Sequence, residues 1–155
     1  MLTSGEYGLK SSVYTSLTGT GLTVGRIEQS PNTGHMRMLV QNNSSGGTIT
    51  DGEAVMFTSG FASSYVVDAT TGVGTPMVGV NDMAGASIPA GSYFWITIKG
   101  FCNVLVATGT SINDRVSPSA TAGTLGAQVS GMPVNCVAYA ANSSGSPAKT
   151  LCYIY

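Results

Sequence analysis

The amino-acid sequence predicts an all-β fold, a small β-barrel or β-sandwich with an extended N-terminal arm. Three observations carry this. Gly and Pro are spread so evenly that the longest windows free of both are 35–45, 61–71 and 134–144. None is longer than an average helix of about 11–12 residues, and an interior Gly or Pro costs a helix roughly 1 or 3 kcal/mol relative to Ala. Those windows are rich in Val, Thr, Tyr and Phe, which fit a pleated, half-buried surface better than a helical one. Lastly, one long segment, 93–106, keeps an unbroken two-residue alternation, the mark of a strand with one face turned inward.

At the N-terminus, Ser, Thr and Gly crowd the stretch from Ser11 to Gly25, and Ser30-Pro31-Asn32-Thr33-Gly34 has the composition of a linker. The apolar positions there (Tyr7, Leu9, Val13, Tyr14, Leu17, Leu22, Val24) keep no sustained period. Residues 1–34 therefore divide off as an arm and linker; the alternative is a first strand at 22–28 behind a frayed terminus. Residues 35–155 form the β domain. Met36, Met38 and Val40 alternate with Arg37 and Gln41, and Ala54–Phe57 follows a turn at Asp51-Gly52. Val134, Cys136 and Ala138 alternate with Asn135, and Leu151, Tyr153 and Tyr155 close the chain. Turn-forming clusters separate these pieces at 42–47, 71–74, 89–91, 113–114 and 144–147. In the long segment Phe94, Ile96, Ile98, Cys102, Val104 and Val106 share one face, with Gly100 on that face at the midpoint. A Gly inside a strand marks a bend, a bulge or a close backbone approach. A strand bent there serves two sheets, as at barrel and sandwich corners. No internal repeat of fixed period is visible.

Composition excludes several functions. The 155 residues are 43% apolar and only 8% charged, against about 25% charged in an average soluble protein; Gly (21), Ser (19) and Thr (18) take up the difference. A formal net charge of −1 offers no basic stripe for a phosphate backbone, so nucleic acid is not an expected partner. No run approaches about 18 uninterrupted apolar residues, and the first residues lack a basic start followed by an apolar stretch, so neither a membrane span nor export is expected. Cys102, Cys136 and Cys152 are an odd set with no C-x-x-C pair. They read as small buried hydrophobes in a chain made in a reducing cytoplasm, or as one bridge and a free thiol.

The chemistry-bearing residues are sparse. His35 is the only histidine, which removes metal sites needing two imidazoles and makes any Ser/His/Asp triad depend on it; beside a turn it is expected to be solvated or capping. Asp51, Asp82 and Asp114 sit next to Gly or Asn, where a short carboxylate hydrogen-bonds the local backbone. Asp51 and Glu53 are spaced as a turn leading into a strand, with nothing to fix the separation a glycosidase needs. Gly19-Thr20-Gly21 and Gly72-Val73-Gly74 lack phosphate-loop spacing, and the N-x-S matches at Asn42, Asn43 and Asn142 are chance products of a Ser-rich chain. No catalytic, cofactor-binding or metal-ligating residue is assigned. Tyr93 and Trp95 lie on the strand face opposite Phe94, which fits either a protein interface or a two-sided core. With the arm residues Tyr7, Tyr14 and Leu17 they make up the candidate interface.

Several phrases match a known pattern. They are Arg37-Met38-Leu39-Val40-Gln41-Asn42-Asn43-Ser44-Ser45-Gly46, Ile49-Thr50-Asp51-Gly52-Glu53-Ala54-Val55 and Val78-Gly79-Val80. Two more are Ile88-Pro89-Ala90-Gly91-Ser92-Tyr93-Phe94-Trp95-Ile96 and Asn113-Asp114-Arg115-Val116-Ser117-Pro118-Ser119-Ala120-Thr121-Ala122-Gly123. Over roughly residues 36–155 the chain thereby resembles the capsid decoration, or cement, proteins of tailed bacteriophages. Asn113 stands where that pattern usually has Gly. The resemblance implies a non-enzymatic virion structural protein on the outer surface of the mature head. It would bind the major capsid protein and stabilise contacts between capsomers as a homo-oligomer, a trimer favoured over a dimer. A phage tail-fibre or carbohydrate-binding β domain is the alternative.

Overall fold

A computed structural model describes residues 12–58, 65–73, 75–128 and 136–155. Their regular structure is entirely strand: β1 (Ile27–Gln29), β2 (Met36–Asn42), β3 (Ile49–Thr50), β4 (Ala54–Phe57), β5 (Val66–Ala69), β6 (Gly79–Val80), β7 (Ser87–Ile88), β8 (Tyr93–Val106), β9 (Arg115–Pro118), β10 (Leu125–Ala127), β11 (Cys136–Ala138) and β12 (Ala148–Ile154). The strand order β1-β2-β5-β4-β6-β8-β10-β9-β11-β12 is closed by two further pairings, β2 with β8 and β8 with β12. Two closed five-stranded rings result, β2-β5-β4-β6-β8 and β8-β10-β9-β11-β12, with β8 common to both. Closure pairs each core strand on both sides over part of its length and leaves the ends of β8 and β12 beyond the short partners β6 and β11.

The long strand is bent as its sequence predicts. Its first half pairs with β2 from Gln41↔Tyr93 to Met36↔Lys99; its second half pairs with β12 from Ile154↔Gly100 to Ala148↔Val106. Gly100 stands at the change of partner with φ +106°, a conformation L side chains rarely adopt. A Cβ there would lie 3.1 Å from His35 Cγ and 3.3 Å from His35 Cα. The inward face feeds both interiors: Phe94 and Ile96 join Met38, Val40, Ile49, Val55, Val67, Met83 and Ile88. Beyond the bend, Cys102, Val104 and Val106 join Val116, Leu125, Cys136, Ala138, Cys152 and Ile154.

The two rings are wound identically. In each, the first strand runs parallel to the third and every other contact is antiparallel: β2 with β5 corresponds to β8 with β10. The register agrees residue by residue, since Ala54↔Val80 and Val55↔Gly79 match Arg115↔Val137 and Val116↔Cys136. Even the turns coincide. The Thr50 N–H donates to Glu53 Oε2 (2.6 Å) as the Ser111 N–H donates to Asp114 Oδ2 (2.7 Å). Likewise the Gly52 N–H donates to Asn81 O (2.7 Å) as the Asn113 N–H donates to Ala138 O (2.8 Å). Gly52 (φ +90°) and Asn113 (φ +68°) occupy the same left-handed position, so Asn113 does support the turn expected of it. By this correspondence Gln41 matches Leu105, Tyr93 matches Lys149 and Trp95 matches Leu151.

Gly100→Ala is expected to cost at least about 2 kcal/mol, the strain of a side chain at an unfavourable positive φ added to the His35 contact. A urea-denaturation midpoint equal to that of the natural chain would show that the bend does not need a Gly.

Candidate interaction surfaces and the polar junction

Four of the five candidate interface residues meet in one place. On the outer face of the first ring, Trp95 and Leu39 are covered by the N-terminal segment through Leu22, with Tyr14, Leu17 and Tyr93 packed against them. The segment is pinned as an added strand residue: the Tyr14 N–H donates to Tyr93 O (2.8 Å) and the Tyr93 N–H to Tyr14 O (2.7 Å). Trp95 is thereby fully buried, so it offers nothing to a partner. Of the two readings left open for Trp95, interface or two-sided core, its burial takes the second and removes it from the candidate interface: the arm supplies the apolar cover that the outer face of the strand needs. Tyr14, Leu17 and Tyr93 stay half-buried, and Tyr7 lies outside the described residues. Between this segment and β2, residues 27–29 form strand β1, in register with Met36–Met38.

Beneath the bend lies a polar junction that the sequence did not announce. His35, Arg37, Asn81, Asp82 and Thr97 are all buried. Arg37 Nη2 donates to the Asp82 carbonyl at 3.3 Å and lies 4.0 Å from Asp82 Oδ2. Asp82 Oδ1 accepts from the Asn103 N–H (3.0 Å) and from Asn103 Nδ2 (3.3 Å), a residue of the second half of β8. His35 Nε2 shares a hydrogen bond with Thr97 Oγ1 (3.3 Å), from the first half. Both expectations for these residues are corrected. His35 is not solvated, because its ring fills the space Gly100 leaves empty. Asp82, expected to hydrogen-bond its local backbone, instead turns its carboxylate inward to Asn103 and Arg37, distant in the chain.

Burial, followed by the nearby Arg37 charge, lowers the His35 pKa from 6.5 to about 4. Burial likewise pushes the Asp82 carboxyl up, against the opposing pull of the Asn103 N–H and the Arg37 guanidinium. All three cysteines are buried free thiols. Cys102 is raised well above its ordinary pKa by burial first and by Asp82 second, and Cys136 is raised by its hydrogen bond with Cys152 first and burial second. Raised in this way, the Cys102 and Cys136 thiols are inert as nucleophiles at neutral pH. Asp51 Oδ2 accepts from the Gly85 N–H (2.8 Å) and from Lys149 Nζ (2.6 Å), and Glu53 caps its own turn, so this pair of carboxylates is held by structure. Asn42 and Asn142 are buried, and each donates through Nδ2 to two carbonyls. Among the described residues no group of three His, Cys, Asp or Glu side chains is placed to hold a metal ion.

The second ring carries an aromatic cluster on its outer face. Phe101 meets Tyr139 and Tyr153 edge to face at 5.1 and 4.9 Å, and Tyr153 meets Tyr155 at 5.4 Å. Tyr139 (48%), Leu151 (41%) and Tyr155 (64%) remain exposed. Sequence reading missed this set. Tyr153 and Tyr155 were visible as a terminal alternation, but only the folded register brings Phe101 and Tyr139 beside them.

The fold and surfaces define an all-β barrel protein whose conspicuous features are apolar surfaces and a structural polar junction. No protein-family model matches the chain, and no curated protein matches it in sequence. Among solved structures it is similar to the N base of the head fiber gp8.5 of bacteriophage phi29, with a TM-score of 0.51 and 9% identity, over 78% of this chain and 94% of that one. At that identity the likeness is one of fold.

His35 makes stability depend on pH. Its folded pKa lies below its unfolded one, so its contribution is present above about pH 6.5 and is lost as pH falls through about 4, a loss of roughly 3 kcal/mol when complete. Denaturation midpoints measured from pH 7 to pH 4 should fall, and His35→Gln should flatten that slope; an unchanged slope would remove His35 as its source. Deleting residues 1–20 strips Tyr14 and Leu17 from Trp95 and is expected to lower the melting temperature, to red-shift the emission of the single Trp and to increase its quenching by iodide. Unchanged Trp accessibility would mean that the segment does not cover it.

Proposed function

We propose that this chain is a non-enzymatic structural protein of a phage virion, a capsid decoration protein that binds the major capsid protein on the outside of the mature head as a homo-oligomer. The observation that carries the reading is the fold it shares with a phage head-fiber base, over 94% of that chain. Three further features support it. Only 8% of the residues are charged, so bringing copies against a lattice desolvates few ions. The one histidine is enclosed beneath Gly100, and the Cys102 and Cys136 thiols are held protonated, so these three groups supply no activated nucleophile or base. An exposed aromatic face provides contact area of the kind enriched at protein interfaces.

The mechanism is area combined with avidity. A copy that straddles the joint between capsomers adds contacts that must be lost before the capsomers separate. At about 25 cal/mol per Å², some 400 Å² of apolar contact supplies roughly 10 kcal/mol gross, of which association entropy removes about 4–15 kcal/mol for a free monomer. An oligomer that engages several joints spreads that cost over all of them.

Purified protein is expected to cosediment with undecorated mature heads and to do so equally at roughly 0.1 M and 1 M salt, because screening weakens exposed charge pairs and leaves apolar burial intact. Failure to cosediment with the heads of its own virus at either salt would overturn the reading and favour a tail-fibre or carbohydrate-binding domain. Binding lost only at high salt would overturn the apolar mechanism.

A further inference from the structure

The twofold repetition of the fold leaves two equivalent outer faces, and the described residues cover only one of them. On the first ring, β6 meets β8 only at Val80↔Thr97, so the edge of β8 is open at Tyr93. The chain's own segment closes it with the two Tyr14 hydrogen bonds and lays Leu17 and Leu22 over Trp95. On the second ring, β11 meets β12 only as far as Ala138↔Cys152, extended by the Tyr139 N–H donating to Leu151 O (2.8 Å). Among the described residues the edge of β12 is therefore open at Lys149, the residue that corresponds to Tyr93. Hydrogen-bonded and non-bonded pairs alternate along an antiparallel ladder. The Leu105 N–H turns away from β12 to donate to Gly52 O (2.8 Å), so Lys149, opposite Leu105, directs its own N–H and C=O toward the open side. There a groove of about 480 Å³ runs between Ala140 and Lys149, floored by Phe101, Asn103 and Leu151.

An open strand edge beside an apolar groove is the geometry that accepts an added strand, with the backbone supplying affinity and alternate side chains specificity. We propose that this groove receives residues 1–11 of a second copy of this chain, with Tyr7 on Lys149 as Tyr14 is on Tyr93. The occupant is argued from fit and from reach. The same chain already seats an uncharged Tyr-bearing segment on the equivalent edge, and residues 1–11 hold a further Tyr and two Leu, as Leu2, Tyr7 and Leu9. Reach excludes the chain's own Tyr7 from Lys149. Tyr93 and Leu105 are separated by roughly 40 Å of strand, or roughly 28 Å across a right-angled bend. The stretch from Tyr14 back to Tyr7 extends at most about 25 Å. The contact pairs an arm with a groove, so each copy offers one of each. It deepens the self-association within the reading above and does not depend on capsid binding.

Sedimentation velocity of the full chain over a range of concentrations tests this without any capsid, so its failure is distinct from failure of the capsid reading. The natural chain should self-associate. Tyr7→Ser, which damages the arm, and Leu151→Asp, which damages the groove, should each associate at least tenfold more weakly while keeping the natural melting temperature. A mixture of the two should recover association, because one variant retains the groove and the other the arm. A natural chain that stays monomeric, a Tyr7→Ser chain that associates normally, or a mixture no better than its components would each overturn the proposal. If Leu151→Asp lowers the melting temperature, Ala141→Asp, at an exposed residue lining the same groove, replaces it in the same mixing test.

Discussion

One strand serving two barrels is the constraint from which the rest of this structure follows. For β8 to leave the first ring and enter the second, its backbone must turn in mid-strand while still offering an apolar face to both interiors. That turn falls at Gly100, where φ is +106° and a side chain would meet the His35 ring. The register shift on the partner strand between Met36 and Arg37 lies opposite the bend, as expected where a ladder must absorb extra curvature. Shared ownership of β8 also couples the two cores: loosening either barrel frees one end of a strand on which the other depends.

A bend of this kind opens backbone and polar groups to a region that water does not reach, and the junction residues answer that need. Arg37 from β2, Asp82 from the loop after β6 and Asn103 from the far half of β8 tie three chain segments across the waist. The Arg37–Asp82 pair is a buried ion pair, and such pairs seldom stabilise a fold over an apolar substitute. Its role is better described as directional. Removing either partner strands a buried charge, so only the arrangement that brings these segments together satisfies both. His35 packs beside it in the neutral form, which keeps a second positive charge away from Arg37.

How far the sequence reveals this depends on what periodicity can report. Alternation tells which residues share a face, and from it the long strand, its inward face and the special status of Gly100 were all legible. Alternation does not tell what covers the opposite face. Trp95 therefore read equally as interface or core until the N-terminal segment was seen lying over it. A polar residue beside a turn reads by default as solvated or as bonding its local backbone, and for that reason His35 was expected to be solvated or capping and Asp82 to serve its own turn; their burial depends on segments distant in the chain. The repetition of the barrel escaped for another reason. Equivalent positions share a conformation and a burial class but seldom an identity, as with Gly52 and Asn113 or Trp95 and Leu151. Their spacing also drifts, since Gln41 corresponds to Leu105 but Tyr93 to Lys149.

The repetition is structural, yet the chain treats its two halves unequally, and the inequality bears on assembly. Each ring has an outer face on which a strand edge and an apolar surface lie side by side; one is closed by residues 12–24 and the other presents Phe101, Tyr139, Leu151 and Tyr155. A contact made by two different surfaces is heterologous, so it repeats from copy to copy until a rotation closes it into a ring. Patch-to-patch association would instead stop at a twofold dimer. Arm-to-groove contact thus admits the odd-numbered closed assemblies that a threefold position in a lattice would demand, and it leaves the number of copies to the angle at which each arm leaves its barrel. That angle is set where Tyr14 is pinned to Tyr93, at the start of the same strand whose bend joins the two barrels.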